Sequence, residues 1–191
     1  MKRLLLALAA LASAAALSAE TYTIDPVHSS LGFNLRHLVS KFSGSFTKVS
    51  GTVTYDAAAP EKSSVEATIA INSVNTADEK RNGHLLSPDF FDAAKFPTAS
   101  FKSKAWKKTG ENTFDVTGDL TIKDVTKEVT LQAALLGTGP GMGGATVTGW
   151  EVTTRLNKSD YGVNGPAMLG KVLGDEVAIT ISLEANHKPA K

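Results

Sequence analysis

The sequence predicts an all-β fold: an extended antiparallel up-and-down barrel of about eight strands, with a short helical insertion capping one end. Three observations carry this expectation. Apolar and polar residues alternate with period two from Tyr22 to Ala185, turn chemistry separates the alternating runs, and the alternation stops once, between Asn75 and Phe96. Strands that are polar on one side build antiparallel sheets with one wet face. A sheet of this size does best by closing on itself, because closure removes exposed edges. A two-sheet sandwich satisfies the same alternation and is the alternative architecture.

The first residues, MKRLLLALAALASAAALSAE, stand outside that pattern. Lys2 and Arg3 precede an apolar run from Leu4 to about Leu17, and Ala16-Leu17-Ser18 offers the small residues of a cleavage site. The run is short for a membrane span and has no positive flank after it. Residues 1–18 are therefore expected to be a cleaved signal peptide, and residues 19–191 a single domain. Without Lys2 and Arg3, the 20 Lys+Arg and 19 Asp+Glu of the whole chain become 18 against 19, a net charge of −1. That balance gives no support for nucleic-acid binding. The chain has no cysteine, which removes disulfides, thiol nucleophiles, thiolate metal sites and an N-terminal lipid anchor together. Export without disulfides fits a bacterial periplasm.

The strands follow in order. Tyr22–Asp25 is short. Leu31, Phe33 and Leu35 share one face, and Ser45–Tyr55 continues after a turn. Val65, Ala67, Ile69 and Ile71 alternate next, then Ala99–Trp106, then Phe114 to Ile122 at every second residue. Val129 to Leu135, Ala145–Leu156 and Val177 to Ala185 complete the set. Ala59-Pro60, Gly110-Glu111-Asn112 and Gly137 to Gly144 read as turns. Several apolar-face positions are small: Gly51, Ala67, Ala99, Ser103, Ala105, Gly118, Ala133 and Ala185. A barrel of this strand number is either filled by side chains or holds one ligand. Small inner residues favour a cavity, unless Phe and Leu of neighbouring strands interdigitate into the gaps.

The interruption carries a different chemistry. Thr76 or Asp78 can cap a short helix, Pro88 suits the start of a second turn, and Phe96-Pro97 ends the segment. Phe90, Phe91 and Phe96 need burial, and the open end of a barrel provides it. The segment is then a plug that completes the core, or a lid over an apolar lumen with Arg81 and His84 at the rim to meet a polar head group.

Other motifs are weaker. Gly139–Gly144 has the letters of a phosphate loop but precedes a strand, not a helix. His28, His37, His84 and His187 lack metal-ligand spacing, so no metal site is expected. No nucleophile elbow is present. Asp89 and Asp92 flank the Phe pair and are read as helix and turn caps.

The opening Tyr22–Phe46, with His28-Ser29, Phe33, His37-Leu38 and Gly44 to Phe46, resembles the YceI-like family of exported lipid- and polyisoprenoid-binding proteins. The run DEKRNGHLLSPDFFDAAKFPTASF (Asp78–Phe101) is the most specific part of the likeness. Gly118–Leu131 is similar to a family strand–turn–strand, with Asp124 where Gly is commoner. Leu156–Val163 departs by carrying Lys158 where Arg is usual, and Gly174–Ala185 is similar to the closing strand. The resemblance implies a lipocalin-like barrel whose lumen holds a long apolar molecule, polyprenyl or fatty-acyl in type, under the insertion. It implies a non-enzymatic carrier without a cofactor.

On these grounds Phe33, Leu35, Phe46, Phe90 and Phe91 are expected to line the ligand site. Phe96, Trp150 and Leu169 join them, with Arg81 and His84 at the rim. The partner is a long-chain apolar small molecule, with transient membrane contact for lipid exchange and a homodimer through Met142 or Met168 left open. Two alternatives stand beside the carrier: a scavenger of hydrophobic compounds or antibiotics, and an enzyme acting on the bound lipid through His84 with Asp89 or Asp92.

Overall fold

The alternating runs become an eleven-stranded antiparallel sheet in the computed structural model, which describes residues 19–188. The expected leader, residues 1–18, lies outside the described residues. In chain order the first strands are β1 (Glu20–Ile24), β2 (Ser30–His37), β3 (Ser40–Phe46), β4 (Val49–Tyr55), β5 (Ser64–Ala70) and β6 (Val74–Asn75). Helix α1 (Glu79–Leu86) follows. Then come β7 (Thr98–Lys108), β8 (Thr113–Ile122), β9 (Val125–Pro140), β10 (Thr146–Asn157) and β11 (Leu173–His187).

Closure comes from β11, which pairs β10 on one side and both β1 and β2 on the other. Ile24 faces Ala185 and Leu31 faces Ile181, so β1 and β2 are one interrupted stave. β4 and β3 continue the same way against β1 and β2, and β5 and β6 against β4 and β3. The result is a closed barrel of eight stave positions, not a sandwich. Among the described residues β6 pairs with β3 alone and ends at Asn75, so one end of the barrel needs a cover other than sheet. The chain supplies α1 there.

Three strand expectations change. The run Ser45–Tyr55 is not one strand, because it breaks between Phe46 and Val49. The Ser73 hydroxyl takes the Lys48 N–H at 3.1 Å, and the Ser73 carbonyl takes that of Thr47 at 3.2 Å. These bonds replace the missing ladder. Ala105 does not face inward. A bulge between Ser103 and Ala105 adds one residue, so Ala105 is exposed and Trp106 turns in. Ser103 holds the bulge by accepting the Val65 N–H at 2.9 Å. Gly137 to Pro140 is strand, paired with β10 up to Pro140–Thr146, and the turn shrinks to the residues around Met142.

One half of the interior is filled. Tyr55, Trp106, Phe114 and Trp150 pack edge to face or tilted, with Tyr55–Trp150 centroids 5.1 Å apart and Trp106–Trp150 5.9 Å apart. Gly118 is small because the strands approach closely there. A Cβ at that position would lie 2.4 Å from the Lys102 carbonyl oxygen and 2.7 Å from the Phe101 ring. Interdigitation thus fills part of the space that the small residues were expected to leave empty.

Candidate functional site

Beyond the aromatic fill, the barrel opens into a cavity of about 330 Å³ at the other end of the staves. That volume falls in the range of ligand pockets, roughly 300–1,000 Å³. Leu31, Phe33 and Leu35 of β2 form one wall, with Phe42 and Phe46 of β3 beside them. Leu120 and Ile122 of β8 and Val177 and Ile179 of β11 form others. Among the small inner residues, only Ala99 borders it.

The cover is built locally. The Asp78 carboxylate accepts the Arg81 N–H at 2.9 Å and caps α1. That bond, more than the nearby cations, holds Asp78 below the usual carboxylate pKa. Ser87 ends the helix, and its carbonyl accepts from both Phe90 and Asp92, which folds the two phenylalanines under the turn. Phe91 meets Phe46 edge-on at 5.6 Å. Phe90 lies against Gly165, where a Cβ would stand 2.4 Å from the ring and where φ is +70°. The Gly165 N–H donates to the Asp89 carbonyl at 3.0 Å. Cover and far loop are thereby joined.

Phe33, Leu35, Phe46, Arg81, His84, Phe90, Phe91 and Leu169 all border the cavity. Phe96 and Trp150 do not. Phe96 is half-buried at the foot of the cover with the Lys95 ammonium 4.8 Å from its ring. Trp150 is only 3% exposed and belongs to the filled end.

The rim side chains are occupied within the chain. Arg81 donates to the Thr76 hydroxyl at 3.0 Å and carbonyl at 2.7 Å, and its guanidinium sits 4.7 Å from the Phe42 ring centre. His84 Nε2 lies 2.9 Å from an Asp89 oxygen, and its ring stands edge-on to Phe90. Lys158 and Tyr161, on the 3₁₀ turn after β10, add polar lining; the sequence marked Lys158 only as a departure from the usual Arg and did not single out Tyr161. The Lys158 side chain is 13% exposed, and its nearest carboxylate is Asp175 at 3.7 Å. Asp175 is engaged by the Ser159 hydroxyl at 2.6 Å and backbone N–H at 2.9 Å, and the hydroxyl bond leads in keeping its pKa low. The Tyr161 hydroxyl is buried with no hydrogen-bond partner among the described residues. Burial, then Asp160, raises its pKa.

At the opposite end Asp25, His28 and Glu184 bring three potential ligand atoms within 4.8 Å of one another. Sequence spacing could not reveal this, because Glu184 arrives from the last strand. The Asp25 carboxylate already accepts the Val27 N–H at 2.8 Å and lies 3.0 Å from His28 Nδ1. Its bond to His28 raises the His28 pKa. The group braces the break between β1 and β2.

Comparison with known proteins adds the relatives. A UPF0312 protein of Pseudomonas savastanoi pv. phaseolicola is 39% identical over 184 residues, covering 93% of this chain and 96% of its own. The crystal structure of Burkholderia cenocepacia BcnA superposes with a TM-score of 0.78 at 27% identity, over 85% of this chain and 99% of that one. A polyisoprenoid binding domain from Saccharophagus degradans, implicated in plant cell wall breakdown, superposes with a TM-score of 0.68. At 18% identity over 87% of this chain and 98% of that one, it shares the fold. The YceI-like domain model matches residues 22–185, which is nearly the whole described barrel, and the chain belongs to that family.

Proposed function

We propose that this protein is a non-catalytic carrier that holds one long apolar molecule, polyisoprenoid or fatty-acyl in type, inside its barrel after export to the periplasm. The observation that carries this is the lidded cavity, whose walls are aliphatic and aromatic with few polar groups. Each methylene removed from water contributes roughly 0.8 kcal/mol. A chain of about sixteen carbons offers on the order of 12 kcal/mol gross, before several kcal/mol of association and ordering cost. Micromolar or tighter binding follows without elaborate polar recognition. The polyisoprenoid-binding neighbour supports the ligand class through a shared fold.

Native mass spectrometry of protein purified from an exporting host, with denaturing lipid extraction of the same sample, tests the proposal. A discrete excess mass released as a prenyl or acyl compound is expected. A bare protein mass that persists after incubation with both lipid types would overturn it.

The exposed His84–Asp89 pair is the one observation favouring an enzyme that acts on the bound lipid. That reading requires His84→Ala to abolish turnover while binding persists. The carrier reading expects no turnover to lose.

Tyr161 borders the cavity through its ring, while its hydroxyl is closed off from it. Its hydroxyl pays a desolvation cost with no bond in return, so Tyr161→Phe is expected to leave stability unchanged or raise it by up to about 1 kcal/mol. Retention of a free fatty acid and of a pure hydrocarbon of equal length should both stay the same, because the hydroxyl has no surface open to the ligand. A selective loss of the fatty acid would instead place the hydroxyl at the head group.

A further inference from the structure

The hairpin between β2 and β3 breaks two local rules at once. Its two-residue turn is Leu38-Val39, closed by the His37–Ser40 pair. The common two-residue turns place their first central residue at positive φ, where Gly, Asn and Asp are favoured. Leucine occupies that place here, at φ +50°. Both turn side chains face solvent: Leu38 is 54% exposed and Val39 fully so. A strained backbone that displays two apolar side chains is a combination that folding alone does not select.

The tip is also held in place. Arg36 Nη1 donates to the Leu38 carbonyl at 3.0 Å, and the Ser40 hydroxyl to that of His37 at 3.1 Å. The Leu38 N–H donates to the Val172 carbonyl at 2.7 Å. That bond joins the hairpin to the turn Ala167–Lys171, where Met168 is 79% exposed. Both segments border the cavity, the hairpin through Leu35, His37 and Phe42, and the turn through Leu169 and Val172. Three exposed apolar side chains therefore stand beside the same opening.

Charge identifies what they meet. Arg36, Lys41 and Lys171 flank these tips, and none has a carboxylate within 4.0 Å among the described residues. The carboxylates flanking the Met168 turn in sequence are already engaged: Asp160 with Lys127, Asp175 with Ser159, Glu176 with Arg155. Three projecting side chains are too small an area for a stable protein interface, which buries about 1,200–2,000 Å² in total. Apolar tips between free cations match the boundary between acyl chains and anionic head groups.

We propose that Leu38, Val39 and Met168, with Arg36, Lys41 and Lys171 around them, seat the cavity mouth on an anionic phospholipid surface. The proposal rests on the carrier reading, since it names where that site exchanges its ligand. A long-chain molecule then passes between bilayer and lumen without crossing water.

The test is vesicle flotation with protein from an exporting host, its mass recorded so that wild type and variants share one amino terminus. Vesicles are phosphatidylcholine alone, or an equal mixture with phosphatidylglycerol. Wild type should float with the mixed vesicles, less so at high salt. The double variant Leu38→Gly/Val39→Asn puts glycine at the one turn position with positive φ, so it should fold at least as well and bind about tenfold or more weakly. Lys41→Glu/Lys171→Glu should weaken binding and abolish its salt dependence. Ligand mass retained in buffer should be unchanged in both, which separates failure of docking from failure of the carrier. Absence of wild-type flotation, or flotation unaffected by either variant, would overturn the proposal. So would a wild-type dimer in analytical ultracentrifugation that Leu38→Gly/Val39→Asn dissolves, since a second copy would then be the partner.

Discussion

Replacing Phe91 with Asp is expected to empty the cavity of lipid while the barrel stays folded. Phe91 closes the lumen from a turn, not from a strand, and packs edge-on against Phe46 at 5.6 Å. The ladders from β7 through β11 and on to β1 do not pass through it. A carboxylate in that wall has two outcomes. If it stays inward, bound lipid must strip its water, which costs several kcal/mol without a partner. If it swings out, the cover loses its aromatic seal. Either route should lower retention of a fluorescent long-chain fatty acid by about a hundredfold, close to 2.7 kcal/mol. Phe91→Leu keeps the apolar surface and should keep most of the affinity. The native circular-dichroism spectrum checks the fold. Folded Phe91→Asp protein with wild-type lipid content would mean the insertion is a plug remote from the ligand.

How much of this was legible follows from what period two encodes. Alternation reports which face a residue points to, so the inward rows of β2, β5, β8 and β11 were readable. It fails where a bulge adds a residue, and Lys104 thereby exchanged Ala105 for Trp106 on the inner face. It also says nothing about height along the barrel. Trp150 was placed on the correct face, but in the filled half, six residues along β10 from Leu156, which borders the cavity. Small residues misled for a related reason: Gly118 admits a neighbouring ring and backbone, not a ligand. Phe42 was within reach, since it shares parity with Phe46, had the strand been started at Ser40. Lys158 and Tyr161 lie on a single 3₁₀ turn, where no periodicity signals direction. The aromatic insertion was legible because its composition conflicts with every strand around it.

Height along the barrel can be tested directly with Trp150→Ala. Trp150 is packed by Tyr55, Trp106 and Phe114, with ring centres between 5.1 and 6.1 Å away. Removing the indole deletes that burial and leaves a void that the rigid staves cannot collapse around. The expected loss is about 3–5 kcal/mol, a large share of a domain's usual 5–15 kcal/mol. The indole N–H has no acceptor among the described residues, so no hydrogen bond is lost with it. Urea unfolding should show a lower midpoint with an unchanged slope. Fatty-acid retention, measured where the variant is still folded, should equal wild type, because Trp150 does not border the cavity. Phe91→Asp and Trp150→Ala therefore form a crossed pair, one moving affinity and the other stability. If Trp150→Ala instead lowers affinity in step with stability, the ligand reaches down to the aromatic cluster, which is then the floor of the lumen. If stability falls by less than about 1 kcal/mol, the far end is not close-packed, and the division of the barrel into a filled half and a binding half fails.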